Sequence, residues 1–197
     1  MNFRGSTGYG KSFLEAGYRQ WGRKMQDDIT DGVKWAIDQG IADPKRIAIY
    51  GASYGGYAAL VGLEFTPELY RCGISYAGVT DVPDLIKSFE QRASLRAVIR
   101  LLTTEAIGDR RADKAQLKDV SPQNHVDRIQ APVLLAYGEL DPRVPISQGR
   151  SLARELKKHG KKFELIVKPD EGHGFFKEEN KIEFYRKVDD FLKENLK

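Results

Sequence analysis

The sequence predicts an α/β fold in which a mostly parallel sheet carries helices on both faces. Four short apolar runs, typical of buried strands, lie at residues 46–50, 72–77, 132–137 and 163–167. Segments with helical spacing of apolar residues alternate with these runs from residue 25 onward. That order is typical of a parallel sheet, whose active site lies at the C-terminal ends of its strands.

The predicted helices follow from the same apolar spacing. Residues 25–39 place apolar side chains at helical intervals before Gly40, which acts as a stop signal. Further helices are expected over residues 57–64, 147–159 and most of 84–118. The last helix carries on one face the apolar residues Ile182, Tyr185, Val188, Leu192 and Leu196.

The composition is that of one globular domain spanning residues 1–197. Apolar residues make up 41% and charged residues 30% of the chain, which excludes the profile of a disordered protein. The net charge is +4, but the 32 basic residues are spread among 28 acidic ones. The densest basic run, at 157–162, falls at a predicted helix end, where cations are favoured, so no nucleic-acid partner is expected.

Cysteine usage and hydropathy favour a cytoplasmic protein. The single cysteine, Cys72, has no partner for an internal disulfide and lies in an apolar run typical of a buried structural thiol. No signal peptide opens the chain, and no apolar run approaches the ~18 residues that a membrane span needs. We therefore expect neither an oxidising compartment nor a membrane partner.

Ser53 lies in a motif typical of a catalytic nucleophile. Residues 51–55 read Gly-Ala-Ser-Tyr-Gly between a predicted strand and a helix, which is the setting of a G-x-S-x-G nucleophile elbow. Small neighbours are needed because the turn is tight and strained. The turn projects the hydroxyl above the sheet and points the N–H of Tyr54 into the same space, where a backbone donor stabilises an oxyanion. A glycine-rich turn with an incidental serine is the alternative.

A serine nucleophile needs a base, and the chain contains three histidines. His159 lies in the basic helix end, where a capping or solvated role is expected. His125 precedes a strand, which places it near the wrong end of the sheet. His173 follows the last strand between two glycines, which let its backbone approach the serine, and it is the predicted base.

Asp141 is the predicted acid, because it follows the strand at 132–137 and would hold the imidazole in the required tautomer. Glu139 is a rival, and Asp170 is expected to be a turn residue. The order Ser53, Asp141, His173, with each residue after a different strand, is that of the α/β-hydrolase fold. This chemistry needs no cofactor and no metal, and neither is expected.

These motifs together resemble the catalytic domain of the prolyl oligopeptidase family, close to its acylaminoacyl-peptidase branch. The resemblance implies hydrolysis of peptides or esters through an acyl-enzyme, with the triad on Ser53, Asp141 and His173. It also assigns the N–H of Tyr54 to the oxyanion hole. The matching pieces span the chain in order: residues 2–10, Trp21-Gly22 with Asp27-Asp28, residues 51–56, Ser121-Pro122, residues 138–145 and residues 172–175.

The chain also departs from that family. The catalytic domains of that family begin several strands earlier. We therefore expect a fold that lacks the first strands, the loop with the second oxyanion donor and the family's β-propeller. The strand at 46–50 would then form an open sheet edge, which predicts a homodimer or higher oligomer. Small acyl esters are the expected substrates, with weaker activity on short peptides. A non-catalytic protein that acts by binding remains an alternative.

A second motif suggests a different function. Residues 5–12 satisfy the pattern G-x-x-x-x-G-K-[ST] of a phosphate-binding P-loop, with Lys11 and Ser12 at its end. A P-loop follows a buried strand, and only residues 1–4 precede this one. Nucleotide binding is therefore a less favoured alternative, and the family resemblance assigns the same glycines to a structural loop.

Overall fold

The computed structural model describes residues 1–92 and 103–197. Contacts divide the chain into two compact units. The smaller unit contains Met1–Ile41 and Asp81–Ser121, and the larger contains Ala42–Thr80 and Pro122–Lys197. Residues 93–102, which belong to the predicted helical stretch 84–118, lie outside the described residues.

The sheet belongs to the larger unit, and its strands are all parallel. They are β1 (Ala48–Ala52), β2 (Cys72–Tyr76), β3 (Val133–Gly138) and β4 (Phe163–Lys168). Their order is β1-β2-β3-β4, so that β1 and β4 form the two edges among the described residues. The parallel sheet predicted from the sequence is confirmed, with strand ends that differ from the predicted ones by at most two residues.

The helices alternate with the strands as predicted. Those whose two ends both lie in the described residues are α1 (Lys11–Glu15), α2 (Lys24–Asp38), α3 (Tyr54–Phe65), α4 (Val82–Arg92), α5 (Lys114–Asp119), α6 (Ile146–Lys158) and α7 (Glu178–Asn195). Residues 103–106 are also helical. Single 3₁₀ turns lie at Pro67–Leu69, Pro122–Asn124 and Val126–Arg128.

Helices cover both faces of the sheet, as expected. On one face, Ile74 of β2 and Leu134 of β3 pack in one core cluster with Phe184 and Phe191 of α7. On the other face, α3 approaches Gly73, where a Cβ would lie 2.5 Å from a Leu63 methyl carbon. The α6 helix approaches β3 on that same face, because Gly149 packs against the Tyr137 ring.

The predicted apolar face of α7 is partly wrong. Ile182 and Tyr185 are 44% and 56% exposed, whereas Phe184, Val188 and Phe191 are buried. The physical reason is that Phe184 and Phe191 present larger apolar surface to the sheet, and burying one such side chain stabilises the fold by about 1.5–3 kcal/mol. The helix is therefore rotated from the orientation that the spacing of the aliphatic residues suggests.

The smaller unit is held by contacts around α2. The Arg4 guanidinium makes a two-pronged ion pair with Asp28, at 2.7 and 2.6 Å, and the Arg4 N–H donates to the same carboxylate at 2.9 Å. Gly5, in a left-handed conformation with φ of 89°, lies against Gly17, where a Cβ would be 2.5 Å from the Gly5 Cα. Residues 1–10 therefore form a tight structural loop, in which the backbone of Gly5 packs directly against that of Gly17.

Cys72 is fully buried in β2, and burial raises the pKa of its thiol to about 11, so that it behaves as an apolar core group. Across residues 1–92 and 103–197, none of the helices combines the length and the apolar character needed to cross a bilayer.

Candidate active site

Ser53 lies on a strained turn between β1 and α3. Its φ of 57° and ψ of −117° are unusual for a residue with a side chain, and such a conformation costs on the order of 1–3 kcal/mol. The turn is stabilised by a hydrogen bond from the Ser53 N–H to the Tyr76 carbonyl, at 2.8 Å. The nucleophile motif therefore has the strand–turn–helix setting that the sequence predicts.

The glycines of this turn have unequal roles. A Cβ on Gly51 would lie 2.2 Å from the Gly55 carbonyl oxygen, and a Cβ on Gly56 would lie 2.8 Å from the Gly78 Cα. At Gly55 itself the space is open. The steric requirement therefore falls on Gly51 and Gly56, which let the start of α3 approach β1 and β2.

The side chains of Ser53, His173 and Asp141 form one hydrogen-bonded chain within the larger unit. His173 Nε2 lies 2.9 Å from Ser53 Oγ, and His173 Nδ1 lies 2.7 Å from Asp141 Oδ2. The Asp141 side chain is fully buried and that of His173 is 15% exposed. An ionised carboxylate only accepts hydrogen bonds, so Nδ1 carries the imidazole proton and Nε2 is left to accept from the serine hydroxyl.

The Asp141 carboxylate is held in place by its own loop. Its Oδ1 accepts the N–H of Arg143 at 2.7 Å and the N–H of Val144 at 2.9 Å. Because these bonds occupy Oδ1, Oδ2 is presented to the histidine. The sequence gives no sign of these two donors, since every residue type except proline can supply a backbone N–H group.

The two rival acids, Glu139 and Asp170, form ion pairs with basic side chains. Glu139 forms an ion pair with Arg150. Asp170 forms an ion pair with Lys177 and accepts a 3.3 Å hydrogen bond from Asn180. Among the three acids considered from the sequence, the structure brings Asp141 to the histidine.

The other two histidines lie away from Ser53. The His125 ring packs edge-on against Phe65, at the far end of α3, which is about 18 Å long from its start beside Ser53. His159 follows the last residue of α6, and its Nδ1 lies 2.9 Å from the Glu155 carbonyl oxygen. These placements agree with the wrong-end and helix-end positions expected from the sequence.

A tyrosine that the sequence analysis missed supports the histidine loop. The Phe175 N–H donates to the hydroxyl of Tyr76, at the end of β2. The Tyr76 ring also packs on the rings of Phe175 and Phe184, with centroids 4.9 and 4.8 Å away. Its position at the C-terminal end of a buried strand, on the predicted active-site edge of the sheet, was the available signal.

Tyr54 is the first residue of α3, so its N–H lies at the N-terminal end of the helix, directly after Ser53. The backbone N–H groups at such an end carry partial positive charge and favour an anion. The Tyr54 ring extends toward Tyr57, with centroids 5.5 Å apart.

The P-loop pattern lacks the geometry of a phosphate site. Residues 1–4, all of them described, form coil and turn rather than a strand. The loop runs into α1, a helix of five residues, and the Lys11 side chain lies 84% exposed and 3.5 Å from Glu15. Nor do the described ranges hold a cluster of three His, Cys, Asp or Glu side chains placed to ligate a metal ion.

A parallel sheet covered on both faces, with a serine on a strained strand–helix elbow, defines an α/β-hydrolase fold. Comparison with known proteins specifies the family. The chain belongs to the prolyl oligopeptidase family, whose model matches residues 1–197. The resemblance noted from the sequence motifs is thereby confirmed.

Individual relatives show the same relationship. The chain is 37% identical over 206 residues to dipeptidyl aminopeptidase BIII of Pseudoxanthomonas mexicana and 32% identical over 182 residues to the acylamino-acid-releasing enzyme of Arabidopsis thaliana. The alignments cover 100% and 88% of this chain but only 28% and 23% of those relatives. The chain thus spans about a quarter of their length.

Solved structures agree with the fold. A puromycin-hydrolysing peptidase of Mycobacterium tuberculosis superposes with a TM-score of 0.89 at 30% identity, over 99% of this chain and 29% of its own. The acylaminoacyl peptidase of Pyrococcus horikoshii superposes with a TM-score of 0.88 at 26% identity, over 100% of this chain and 32% of its own. The α/β-hydrolase fold predicted from the sequence is confirmed.

Proposed function

We propose that this chain is a serine hydrolase in which Ser53 is the nucleophile, His173 the general base and Asp141 the acid that orients the histidine. The observation that carries the proposal is the continuous hydrogen-bonded chain from Ser53 Oγ through the His173 imidazole to Asp141 Oδ2, at 2.9 and 2.7 Å. Both distances fall in the range of about 2.6–3.2 Å expected between a nucleophile, its base and the orienting group.

The proposed reaction passes through an acyl-enzyme. Ser53 Oγ attacks the carbonyl carbon of the substrate while its proton moves to His173 Nε2, and Asp141 stabilises the resulting imidazolium. The tetrahedral oxyanion accepts a hydrogen bond from the Tyr54 N–H. As the intermediate collapses, the leaving group departs with the proton from Nε2. Water then repeats the sequence, releasing the acid and restoring the Ser53 hydroxyl.

Small acyl esters and short peptides are the proposed substrates. The relatives' names describe release of dipeptides and of acylated amino acids, and one solved neighbour is a puromycin-hydrolysing peptidase, so acyl transfer from an amide is their common chemistry. We expect esters to be cleaved faster than amides here. An amide has the poorer leaving group and needs more transition-state stabilisation, and Tyr54 is the one oxyanion donor that the proposal assigns.

The proposal includes a homodimer in the cytoplasm. The lone cysteine, buried in β2, fits a reducing compartment. Within the described residues, β1 pairs with β2 on one side and forms a sheet edge on the other. Beside this edge, Tyr50 and Tyr185 are 46% and 56% exposed. The same edge favours the second candidate function, a protein that acts by binding a partner.

Hydrolysis of a nitrophenyl ester and of the matching nitroanilide, each measured across pH, tests the proposed chemistry. We expect faster turnover of the ester and a rate that falls below about pH 6.5, where an imidazole takes up a proton. The binding alternative predicts no turnover above background with either substrate. Faster cleavage of the anilide than of the ester would contradict the proposed substrate preference.

A further inference from the structure

Glu171 is a buried carboxylate outside the proposed triad, two residues before His173. Its exposed fraction is 2%, and it accepts three hydrogen bonds from the segment that follows the histidine. The Phe176 N–H donates to Oε2 at 2.8 Å, while the Lys177 N–H and the Asn180 side-chain amide donate to Oε1 at 2.9 and 2.8 Å. The side chain thereby closes a ring of backbone around His173.

The environment keeps this carboxylate ionised. Burial acts to raise the pKa of Glu171, but the hydrogen bonds from Phe176, Asn180 and Lys177 outweigh it, and the pKa lies below its ordinary value. The neighbouring Asp170 opposes this net lowering. The carboxylate also lies before the first turn of α7, an 18-residue helix whose N-terminal end favours negative charge.

The backbone of Glu171 is anchored as firmly as its side chain. Its carbonyl accepts the N–H of Leu140 at 2.9 Å, one residue before Asp141. A Cβ on Gly138 would lie 2.3 Å from the carbonyl oxygens of both Glu171 and Gly172, so the end of β3 touches the start of the histidine loop. Glu171 therefore links the loop that carries the proposed base to the loop that carries the proposed acid and to α7.

The loop needs such an anchor because of its composition. His173 lies between Gly172 and Gly174, and Gly174 has a φ of 119°, a conformation that side chains rarely adopt. Glycines give the backbone wide conformational freedom, which would let the imidazole move away from Ser53. Contacts at both ends of the loop remove that freedom, and Glu171 supplies contacts at both.

We propose that Glu171 is a positioning residue that holds the His173 imidazole in line with Ser53 and Asp141. The inference rests on the proposed function, in which His173 is the base. A positioning role differs from a purely structural role, in which Glu171 would stabilise α7 without affecting the alignment of the imidazole. A misplacement of about 1 Å at a reacting group lowers rates by as much as about 100-fold, so the two roles are separable by measurement.

The test compares Glu171→Gln with the matched control Asp170→Asn, an adjacent but exposed acid that also contacts Lys177 and Asn180. The glutamine has the same size, but its amide group faces a backbone donor and the negative charge is lost. We expect kcat, per active site titrated with a fluorophosphonate, to fall about 10- to 100-fold with little change in KM. Asp170→Asn should keep the parent kcat.

A second readout follows the imidazole without relying on turnover. The low-field proton resonance of His173 Nδ1–H, bonded to Asp141, should be sharp in the parent and in Asp170→Asn, and broadened or shifted in Glu171→Gln. If Glu171→Gln does not fold, Asn180→Ala removes one of the three donors and should produce the same change of resonance with a smaller loss of kcat.

The outcomes separate the two proposals. A lower Tm for Glu171→Gln, with full kcat per titrated site and an unaltered resonance, would overturn the positioning role. A parent protein without Ser53-dependent turnover, in which Glu171→Gln still disturbs the Nδ1–H resonance, would support the positioning role and contradict the proposed function.

Discussion

His173 Nδ1 and Asp141 Oδ2 lie 2.7 Å apart, in a contact between two loops separated by 32 residues of sequence. The two carboxylate oxygens of Asp141 have different partners, because Oδ1 accepts the backbone N–H groups of Arg143 and Val144 while Oδ2 contacts the histidine. The histidine loop is held to the same loop by the bond from Leu140 to Glu171. The proposed acid and base are therefore fixed relative to each other by backbone as well as by side chains.

Replacing Asp141 with asparagine should inactivate the protein while leaving its fold intact. The amide has the same shape, but it cannot hold the imidazole in the tautomer that accepts the Ser53 proton. We expect kcat/KM for a nitrophenyl ester to fall roughly 1,000- to 10,000-fold. Glu139→Gln is the matched control, two residues away and paired with Arg150, and should retain activity. Equal losses in both variants would contradict the assignment of Asp141.

Two adjacent glycines of the elbow should respond differently to alanine. In Gly56→Ala, the new methyl group would lie 2.8 Å from the Gly78 Cα and 3.0 Å from Ser75 Oγ, so we expect a loss of about 1–3 kcal/mol in the free energy of unfolding. Gly55→Ala enters open space in α3 and should be neutral or stabilising by up to about 1 kcal/mol. Urea unfolding of the two variants measures the difference, and equal stability would refute the steric explanation.

Glu64 should make the stability depend on pH. It is 2% exposed, and its carboxylate oxygens have no hydrogen-bond partner within the described part of the chain. Burial raises the pKa of Glu64 well above its ordinary value; the positive charge of Arg128 opposes this and the negative charge of Asp127 adds to it.

Because the folded protein holds this proton more tightly than the unfolded chain, deprotonation favours unfolding. The stabilising contribution of the proton is complete below the ordinary carboxyl pKa of about 4.3 and is lost as pH rises through the raised pKa of the folded state. Glu64→Gln should remove this downward slope and be more stable than the parent at pH 8 in urea unfolding. The exposed Glu68→Gln should keep the slope. A parent-like slope in Glu64→Gln would show that other groups cause it.

Within the described residues β1 forms an edge of the sheet, and the proposed homodimer would cover that edge. Sedimentation at micromolar concentration should give twice the 22.2 kDa mass of one chain. Tyr50→Lys places a charge beside the edge and should shift the protein toward monomer, because edge lysines oppose strand pairing. Trp35→Lys changes another exposed aromatic residue, on α2, and should leave the association unchanged. An active parent of 22.2 kDa would contradict the dimer.

The two central strands, β2 and β3, could be predicted from the sequence because they are almost wholly buried on both faces of the sheet. All six residues of β3 are buried, and such a strand is a continuous apolar run that needs no tertiary information to recognise. The candidate site could be predicted from the positions of the strands, since Ser53, Asp141 and His173 each lie in the turn or loop that follows a strand. The orientation of α7 could not be predicted this way. Its aliphatic and aromatic residues form two overlapping stripes, and packing selected the one that contains Phe184.

The burial of Glu64 and Glu171 could not be predicted from the sequence either, for a different reason. Charge normally marks an exposed position, so Glu64 and Glu171 give no sign of burial in the sequence. Glu171 is buried because backbone donors five and six residues along the chain converge on its carboxylate, an arrangement that exists only in the folded loop.

Labelling with a fluorophosphonate probe measures directly whether Ser53 is an activated nucleophile. The parent, Ser53→Ala and Ser151→Ala would be compared, the last being a serine on α6 whose hydroxyl contacts Gln123 at 3.2 Å. We predict that the parent and Ser151→Ala are labelled with one probe per chain and hydrolyse a nitrophenyl ester, and that Ser53→Ala does neither. Labelling or turnover in Ser53→Ala equal to that of the parent would contradict Ser53 as the nucleophile, and with it the proposed function.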